Sequence, residues 1–426
     1  MQKKILIPGG KLADLSLVNA AHRMGFYVIT SGTDKNAPAH SYADKYICAD
    51  YSDKEAMLRI AKEENIDFMC SCANDFGMIS TSYVCEQLGL PGHDSYETTL
   101  TIHNKDRFCE VAEELKLRTP KAKMFDSYEA AITFLQDSEK RMIVKPVDNV
   151  ASIGVTAPIT AEEKETAVRL AFEKSKNKKI LIEEYIEGTY VPLSVMVVNH
   201  KVKSVYSEDV YIYHEGDRIG PDFPVSARCT GWVMPSLNFS EVTAVIKEDF
   251  DKLIERLDLV DGKIHCETMV TANGEVYIFD IHRRMSGYFS PWADWDVYNT
   301  ITWTDWILKA ECGMDISEFP EMQEGTRFIH ARNIFAPQNG ILKRVVLDKY
   351  LSSHLYPIPY DGEYTMSWLV VTDYLHEPIS KNFPADGSHR LMFMFDNLDE
   401  AKRMCDPESH EFYDHISFVY SDSIVD

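Results

Sequence analysis

Two alternating segments flank the dipeptide Asn273-Gly274, and this arrangement restricts the fold more than any other part of the sequence. Residues 264–287 read IHCETMVTANGEVYIFDIHRRMSG. An Asn-Gly dipeptide between two strand-like runs is a strong short-range signal for a two-residue β-hairpin. Such a loop predicts these cross-strand pairs: Met269 with Ile278, Glu267 with Asp280, and His265 with His282. The hairpin would therefore bring two acids face to face.

Opposed carboxylates at Glu267 and Asp280 need a cation or a proton between them. Directly opposed residues have Cβ atoms roughly 4.5–5.5 Å apart, and two ionised carboxylates at that spacing repel each other. A period of two also places Asp280, His282 and Arg284 on one face of the strand. Oxygen ligands suit Mg²⁺ or Mn²⁺, so we predict a metal site at the two acids, with His282 as a further ligand or an orienting group. The alternative is the solvated face of an edge hairpin.

Two upstream segments carry further polar groups at strand ends. The sequence RMIVKP, residues 141–146, is a short apolar strand that ends in Lys145, and the small-residue stretch DNVASIG follows it. A lysine at a strand end can present its ammonium group to phosphate oxygens under a mobile loop. The sequence KILIEEYIEG, residues 179–188, can supply backbone groups and apolar side chains to an adenine ring. Either segment alone could equally be an ordinary structural strand.

The N-terminal part alternates strands and helices up to about His93, which predicts a doubly wound parallel sheet. A glycine turn after the first strand makes dinucleotide binding an alternative. However, Gly9 and Gly10 are adjacent, and no third glycine follows at the required spacing. A substrate-side or structural role is the preferred interpretation.

The charge and amino-acid composition of the chain limit the kinds of molecule that it is expected to bind. The formal net charge is −23, and such a field disfavours nucleic acid and anionic membranes. No stretch approaches the roughly 18 apolar residues of a membrane span, and the first residues lack the apolar core of a signal peptide. The nine cysteines show no paired metal spacing. We therefore expect a cytoplasmic protein without nucleic-acid or membrane partners.

Taken in order, these segments resemble the ATP-grasp superfamily, including its amino-acid ligases and carbamoyl-phosphate-synthase-like members. The segment NKDRFCEVAEELKLRTPK looks like the superfamily's lysine-bearing helix, and FDIHRRMSG looks like its acid-x-Asn-x-Arg signature. The resemblance implies ATP and Mg²⁺ (or Mn²⁺) as cofactors. It implies these roles: phosphate contacts from Lys105 and Lys145; a flap with Ser152 and Gly154; an adenine connection at Glu183, Glu184, Tyr185 and Ile186; metal ligation by Glu267 and Asp280; charge stabilisation by Arg284; and backbone donors at Ser286 and Gly287.

The implied fold is of mixed α/β and α+β class. It has an N-terminal doubly wound parallel-sheet domain (residues 1–93), a central ATP-grasp fold of two α+β subdomains (94–312) and a C-terminal β-rich subdomain (313–426). The sequence departs from the superfamily pattern at Asp280, where glutamate is usual, and at His282, where asparagine is usual. Tyr190 stands near the place where many relatives carry an acid for the ribose hydroxyls.

The expected activity is ATP-dependent ligation of a carboxylate to an amine through an acyl phosphate. Arg284 and Lys145 would act on the reacting groups, and Arg228 is a candidate partner for phosphate or the substrate carboxylate. The segment RNIFAPQNGILKRV resembles the closing domain of amino-acid ligases, which favours an amino acid as one substrate. Two alternatives remain open: a bicarbonate-activating enzyme of the biotin-carboxylase or purine-pathway kind, and a regulatory nucleotide-binding protein without turnover. The oligomeric state is also open, with a homodimer as one option.

Overall fold

The computed structural model describes residues 2–149, 153–212, 229–237, 241–286, 303–320, 328–334, 340–355, 358–360, 364–366, 368–369, 378–379, 389–405 and 411–420. Contacts divide the chain into two units. The first contains Met1–Tyr206, Glu241–Pro291 and Ile301–Met322, and the second contains Ser207–Ser240, Trp292–Thr300 and Gln323–Asp426. All predicted site residues within the described ranges belong to the first unit.

The first unit begins with a parallel sheet covered by helices. The sheet order is β3-β2-β1-β4, and each neighbouring pair is parallel. Its strands are β1 (Lys4–Pro8), β2 (Tyr27–Gly32), β3 (Lys45–Cys48) and β4 (Phe68–Met69). The helices are α1 (Leu15–Arg23), α2 (Lys54–Glu64), α3 (Asp75–Leu88), α4 (Tyr96–His103) and α5 (Lys105–Leu115), with 3₁₀ turns at Leu12–Asp14 and Pro38–Tyr42. The predicted parallel sheet is confirmed.

Helix α3 begins at Asp75. The side chain of Asn74 accepts a hydrogen bond from the N–H of Phe76. This N-cap satisfies a backbone donor that would otherwise be unpaired at the helix start. This start places the acidic side chain of Asp75 in the first helical turn.

A second layer follows, built from antiparallel sheets. The sheet β5-β7-β6 consists of β5 (Ala122–Phe125), β6 (Met142–Pro146) and β7 (Ile180–Glu184), and it packs with α6 (Tyr128–Asp137) and α7 (Ala161–Lys174) around a shared apolar core. The next strands in the chain are β8 (Thr189–Val198), β9 (Lys201–Ser207), β10 (Asp209–Ile212), β11 (Cys229–Met234), β12 (Gly262–Val270) and β13 (Val276–His282), with α8 (Val242–Leu257) before β12. The sheet β13-β12-β8-β9 carries the predicted hairpin.

Two irregularities in the hairpin together preserve the predicted pairing of Glu267 with Asp280. The N–H of Thr271 donates to the Glu275 carbonyl and the N–H of Gly274 to the Thr271 carbonyl, while Gly274 has a φ of 82°. The loop is therefore the three-residue kind with a left-handed third residue. The prediction of a two-residue loop is wrong, and Met269 pairs with Tyr277 rather than Ile278.

A bulge in β13 then restores the predicted register. Thr268 pairs with Ile278 and Glu267 pairs with Asp280, so Phe279 is an extra residue on its strand. The extra loop residue and the extra strand residue cancel. Glu267 therefore lies opposite Asp280, and His265 lies opposite His282, as predicted.

Helix α9 (Trp303–Glu311) completes the described part of the first unit and packs on α1 and β12. The second unit contains the sheets β10-β11-β14-β20-β18, β19-β15-β21 and β16-β17. Its remaining strands are β14 (Phe328–Ile334), β15 (Gly340–Leu347), β16 (Ile358–Tyr360), β17 (Tyr364–Met366), β18 (Trp368–Leu369), β19 (Pro378–Ile379), β20 (His389–Phe395) and β21 (Ile416–Tyr420), and its helices are α10 (Lys349–Ser353), α11 (Leu398–Cys405) and α12 (Glu411–Asp414). The described C-terminal residues are thus rich in strands, as predicted. No helix in the described ranges has the length and apolarity needed to cross a bilayer.

Candidate metal and nucleotide site

The structure brings the three predicted metal ligands together at the end of the hairpin. Ligand atoms of Glu267, Asp280 and His282 all lie within 4.8 Å of one another. The Nε2 atom of His282 is 3.9 Å from Oδ2 of Asp280. On the other side, Nζ of Lys105 is 2.9 Å from the same oxygen of Asp280. The cluster thus combines two carboxylates, an imidazole and an ammonium group.

The two acids differ in their electrostatic surroundings. Burial raises the pKa of Glu267, and the charge of Asp280 acts in the same direction, while His282 and Arg284 oppose them. Burial alone would also raise the pKa of Asp280, but the charges of Lys105, His282 and Lys145 outweigh it and lower that pKa to about 2. The negative charge of Asp280 is therefore already balanced by nearby cationic side chains, whereas Glu267 is the acid whose charge a bound cation would stabilise. This donor set of two carboxylates and a ring nitrogen fits a divalent metal ion.

Lys105 and Lys145 reach the site from different elements. Lys105 is the first residue of α5, and its N–H donates to the carbonyl of Val147, just after β6. Burial would lower the pKa of Lys105, but Asp280 raises it above its ordinary value. Lys145 lies on β6 and forms a buried ion pair with Glu183 on β7, with Nζ 2.7 Å from Oε1. Both ammonium groups thus lie close enough to the acid pair to act on the pKa of Asp280.

The predicted adenine connection lies at the end of β7. The N–H groups of Glu184 and Tyr185 donate to the carbonyls of Lys121 and Arg141. The carboxylate of Glu184 pairs with Lys140, and the guanidinium of Arg141 lies 3.9 Å from the centre of the Tyr185 ring. Ile186, half-buried, follows directly. Its N–H has no backbone partner among the described residues.

The remaining predicted residues are only partly described. Gly154 has a φ of 81°, a left-handed conformation that favours glycine, and a Cβ there would lie 3.0 Å from Cγ of Pro146. Ser286 is fully buried. Ser152, Arg228 and Gly287 lie outside the described residues.

Asp75 is a central residue of the site that sequence reasoning missed. One of its oxygens, Oδ1, accepts hydrogen bonds from Nδ1 of His282 at 2.7 Å and Nε of Arg284 at 2.9 Å, and it lies 3.2 Å from Nδ1 of His103. The other oxygen accepts from Nη2 of Arg284 at 2.9 Å. Burial would raise the pKa of Asp75, but Arg284, His282 and His103 outweigh it and hold the pKa well below its ordinary value.

Two more buried polar contacts surround this network. The imidazole of His265 stacks on that of His282, with ring centres 5.9 Å apart. Burial lowers the pKa of His265 well below its ordinary value, and Arg284 acts in the same direction. Arg283, between His282 and Arg284, forms a buried ion pair with Asp94, with Nε 2.7 Å from Oδ2. Of these residues, the sequence offered a signal only for His265, as the cross-strand partner of His282.

The first unit thus combines a parallel sheet, antiparallel sheets, two lysines and two opposed acids. Residues 104–287 match the family model for the phosphoribosylglycinamide synthetase ATP-grasp (A) domain, a segment that holds both lysines and the whole hairpin. This part of the chain is thus similar to the ATP-grasp (A) domain, in line with the resemblance predicted from the sequence.

Solved structures and curated relatives agree with this assignment. Phosphoribosylglycinamide synthetase from Anaerococcus prevotii superposes with a TM-score of 0.72 at 20% identity, over 99% of this chain and 100% of that one. An L-amino acid ligase from Bacillus licheniformis gives a TM-score of 0.76 at 17% identity, over 99% of each chain. Identities this low establish the fold alone. Neighbours of the same fold include complexes with ADP and with MgADP.

The formate-dependent phosphoribosylglycinamide formyltransferase of Wolinella succinogenes is a similar curated protein. It is 22% identical over 218 residues, which cover 51% of this chain and 56% of that protein. The chain thus spans about half the length of the curated relatives it matches.

Proposed function

We propose that the protein is an ATP-dependent carboxylate–amine ligase that forms an amide bond through an acyl phosphate and releases ADP and phosphate. The observation that carries this proposal is that Lys105 contacts Asp280 of the opposed acid pair, while Asp75 holds Arg284 next to the same cluster. A protein that only bound a nucleotide would not need an arginine held beside the metal ligands. The similarity of residues 104–287 to the ATP-grasp (A) domain supports the same reaction class.

Each step of the reaction has a candidate group. A carboxylate oxygen of the substrate attacks the γ-phosphorus of ATP and ADP leaves; the amine then attacks the acyl carbon and phosphate leaves. Lys105 and Lys145 would exchange their carboxylate partners for phosphate oxygens, and Ile186 would donate its N–H to adenine. Arg284 would stabilise the negative charge that develops on the phosphoryl group and the carbonyl oxygen. Magnesium, held by Glu267, Asp280 and His282, would neutralise the transferring phosphoryl group.

The substrates are the less specific part of the proposal. Similarity of the C-terminal segment to amino-acid ligases favours an amino acid. The curated relatives favour instead formate as the carboxylate and phosphoribosylglycinamide as the amine. Both are carboxylate–amine ligations, so the same site serves either.

The test is a matrix of carboxylic acids and amines with Mg-ATP, in which ADP release is measured for each pair. The matrix includes amino acids, formate with phosphoribosylglycinamide, and bicarbonate alone. We expect release that needs both an acid and an amine. Release with bicarbonate alone would support the carboxylating alternative, and thermal stabilisation by ATP without release for any pair would support a regulatory protein.

Two variants and one control assign that turnover to the site. Glu267→Gln and Asp280→Asn should each reduce ADP release at least about 100-fold, because each removes a charge on which phosphoryl transfer depends. Glu275→Gln is the matched control, since Glu275 is exposed at the turn of the same hairpin. Full turnover in either site variant would contradict the proposal.

A further inference from the structure

The side chain of His282 is oriented by Asp75, a residue from the first layer of the fold. Asp75 begins α3 and is only 4% exposed. Its two oxygens face N–H groups of His282 and Arg284, and also the ring of His103. Only an ionised carboxylate can accept all of these donors. Nδ1 of His282, which is 2.7 Å from Oδ1 of Asp75, therefore carries the hydrogen.

This tautomer leaves a lone pair on the other ring nitrogen. With Nδ1 directed at Asp75, Nε2 is the ring nitrogen that can face a metal ion, and it lies on the side of Asp280, 3.9 Å from Oδ2. A histidine that binds a metal commonly donates its other ring N–H to a carboxylate, which fixes the ring and raises its basicity. Asp75, His282 and the acid pair have this arrangement.

From this geometry we propose that Asp75 makes His282 a nitrogen ligand of the metal centre, so that the centre binds Mn²⁺ more tightly than Mg²⁺. Mg²⁺ favours oxygen ligands in near-ideal octahedral geometry and gives up its bound waters reluctantly. An imidazole nitrogen in place of an oxygen shifts a site toward first-row transition metals. The proposal concerns the metal of the proposed ligase reaction, but it rests on this cluster and not on turnover.

A second set of ligand atoms competes for this assignment. Asp75, His103 and His282 also lie within 4.8 Å of one another. However, both oxygens of Asp75 already accept N–H groups from Arg284, and the guanidinium charge would repel a divalent cation there. Glu267 carries no hydrogen bond from a lysine or arginine among the described contacts. Asp280 pairs with Lys105, which would exchange this carboxylate for phosphate oxygens in the proposed reaction, so the two acids are the better partners for a metal held by His282.

The experiment is pulsed EPR of Mn²⁺ bound to the full chain, first alone and then with ADP, together with titrations of Mn²⁺ and Mg²⁺ by calorimetry. We expect modulation from a single imidazole ¹⁴N and tighter binding of Mn²⁺. In His282→Asn the ¹⁴N modulation should disappear and the preference for Mn²⁺ should fall. In Asp75→Asn the affinity for Mn²⁺ should drop by about 10- to 100-fold, the usual effect of removing such a partner.

Two controls separate ligation from folding. Asp94→Asn breaks the equally buried pair with Arg283, one residue from Arg284, and should leave the ¹⁴N signal and the Mn²⁺ affinity unchanged. His103→Gln should also leave the ¹⁴N signal unchanged. If the wild type shows a second nitrogen coupling that His103→Gln loses, the metal belongs to the Asp75 cluster and the proposal is overturned. An absent ¹⁴N signal in the wild type, or a signal that persists in His282→Asn, would also overturn it. A ¹⁴N signal without ADP release for any substrate pair would instead contradict the ligase function alone.

Discussion

Glu267 is a partly buried acid placed beside a second acid that is already ionised. This arrangement favours metal binding at the expense of the metal-free fold. Its carboxylate is within 4.8 Å of the ligand atoms of Asp280 and His282. Burial and Asp280 both raise the pKa of Glu267. The sequence alone predicted this pair, because strand pairing in a hairpin follows from local pattern.

The first residue-scale prediction concerns stability without metal. In Glu267→Gln a neutral amide replaces a carboxylate whose ionisation costs free energy in the fold. The metal-free variant should therefore melt at or above the wild-type temperature at pH 8, while the increase in melting temperature on adding Mn²⁺ should be lost. Calorimetric scans with chelator and with Mn²⁺ measure both. A metal-free variant that melts well below the wild type would show that Glu267 stabilises the fold through another contact.

Asp14 provides a pH prediction at the same scale. It accepts N–H bonds from Lys11 and Ala73, yet burial dominates and raises its pKa to about 6. The unfolded value is about 3.9, so between about pH 4 and pH 6 the folded state binds more protons than the unfolded state. The free energy of unfolding should therefore fall as pH rises through this window, by about 3 kcal/mol from this group.

Urea unfolding midpoints at pH 4.5 and pH 7 test the role of Asp14. Asp14→Asn cannot ionise, so its midpoint should fall less than that of the wild type between the two values. Asp50→Asn, at an exposed acid of the same layer, should follow the wild type. An Asp14→Asn variant with the full wild-type change would refute the assignment.

At the scale of elements, the hairpin shows how two irregularities preserve a site. The three-residue loop shifts the register by one residue, and the bulge at Phe279 shifts it back. The sequence predicted the pairing at the acids but not the loop, because Asn-Gly occurs in more than one loop type. Only the hydrogen bonds of Thr271 with Glu275 and Gly274 distinguish them.

Gly274 gives the element-scale prediction. Its φ is 82°, and a Cβ there would meet no atom within 4 Å, so substitution should cost only backbone strain. Gly274→Ala should destabilise the protein by about 1–2 kcal/mol, and Gly274→Asn by less, because asparagine tolerates the left-handed region. Both variants should bind Mn²⁺ as the wild type does, since the strand register does not depend on the side chain. Equal melting temperatures for Ala and Asn would contradict this reasoning.

At the scale of the first unit, the parallel-sheet layer supplies groups that the hairpin cannot provide. Asp75 from α3 pairs with Arg284 and His282, and the carboxylate of Glu311 accepts the N–H and hydroxyl of Ser71. The domain division at residue 93 remains a proposal. The contacts join residues 1–93 and most of 94–312 into one unit.

The corresponding prediction is that residues 94–426 do not form a stable fold on their own. Without Asp75, Arg284 and His282 would lose their carboxylate, and an uncompensated buried charge typically costs about 3–5 kcal/mol. The fragment should show no cooperative melting transition by circular dichroism, whereas the full chain should. A well-folded fragment that melts cooperatively would favour the independent domains that the sequence suggested.

The sequence by itself determined the local parts of this protein: the strands, the helices, the opposed acids and the order of segments that resembles the ATP-grasp superfamily. These follow from periodicity and from short-range pairing, where the interacting residues are neighbours in the chain. Tertiary structure alone decided that Asp75 orients His282 and Arg284, since these residues are separated by more than 200 positions. It also decided that Glu183 pairs with Lys145. No local pattern specifies such contacts, because they depend on how separately formed layers pack together.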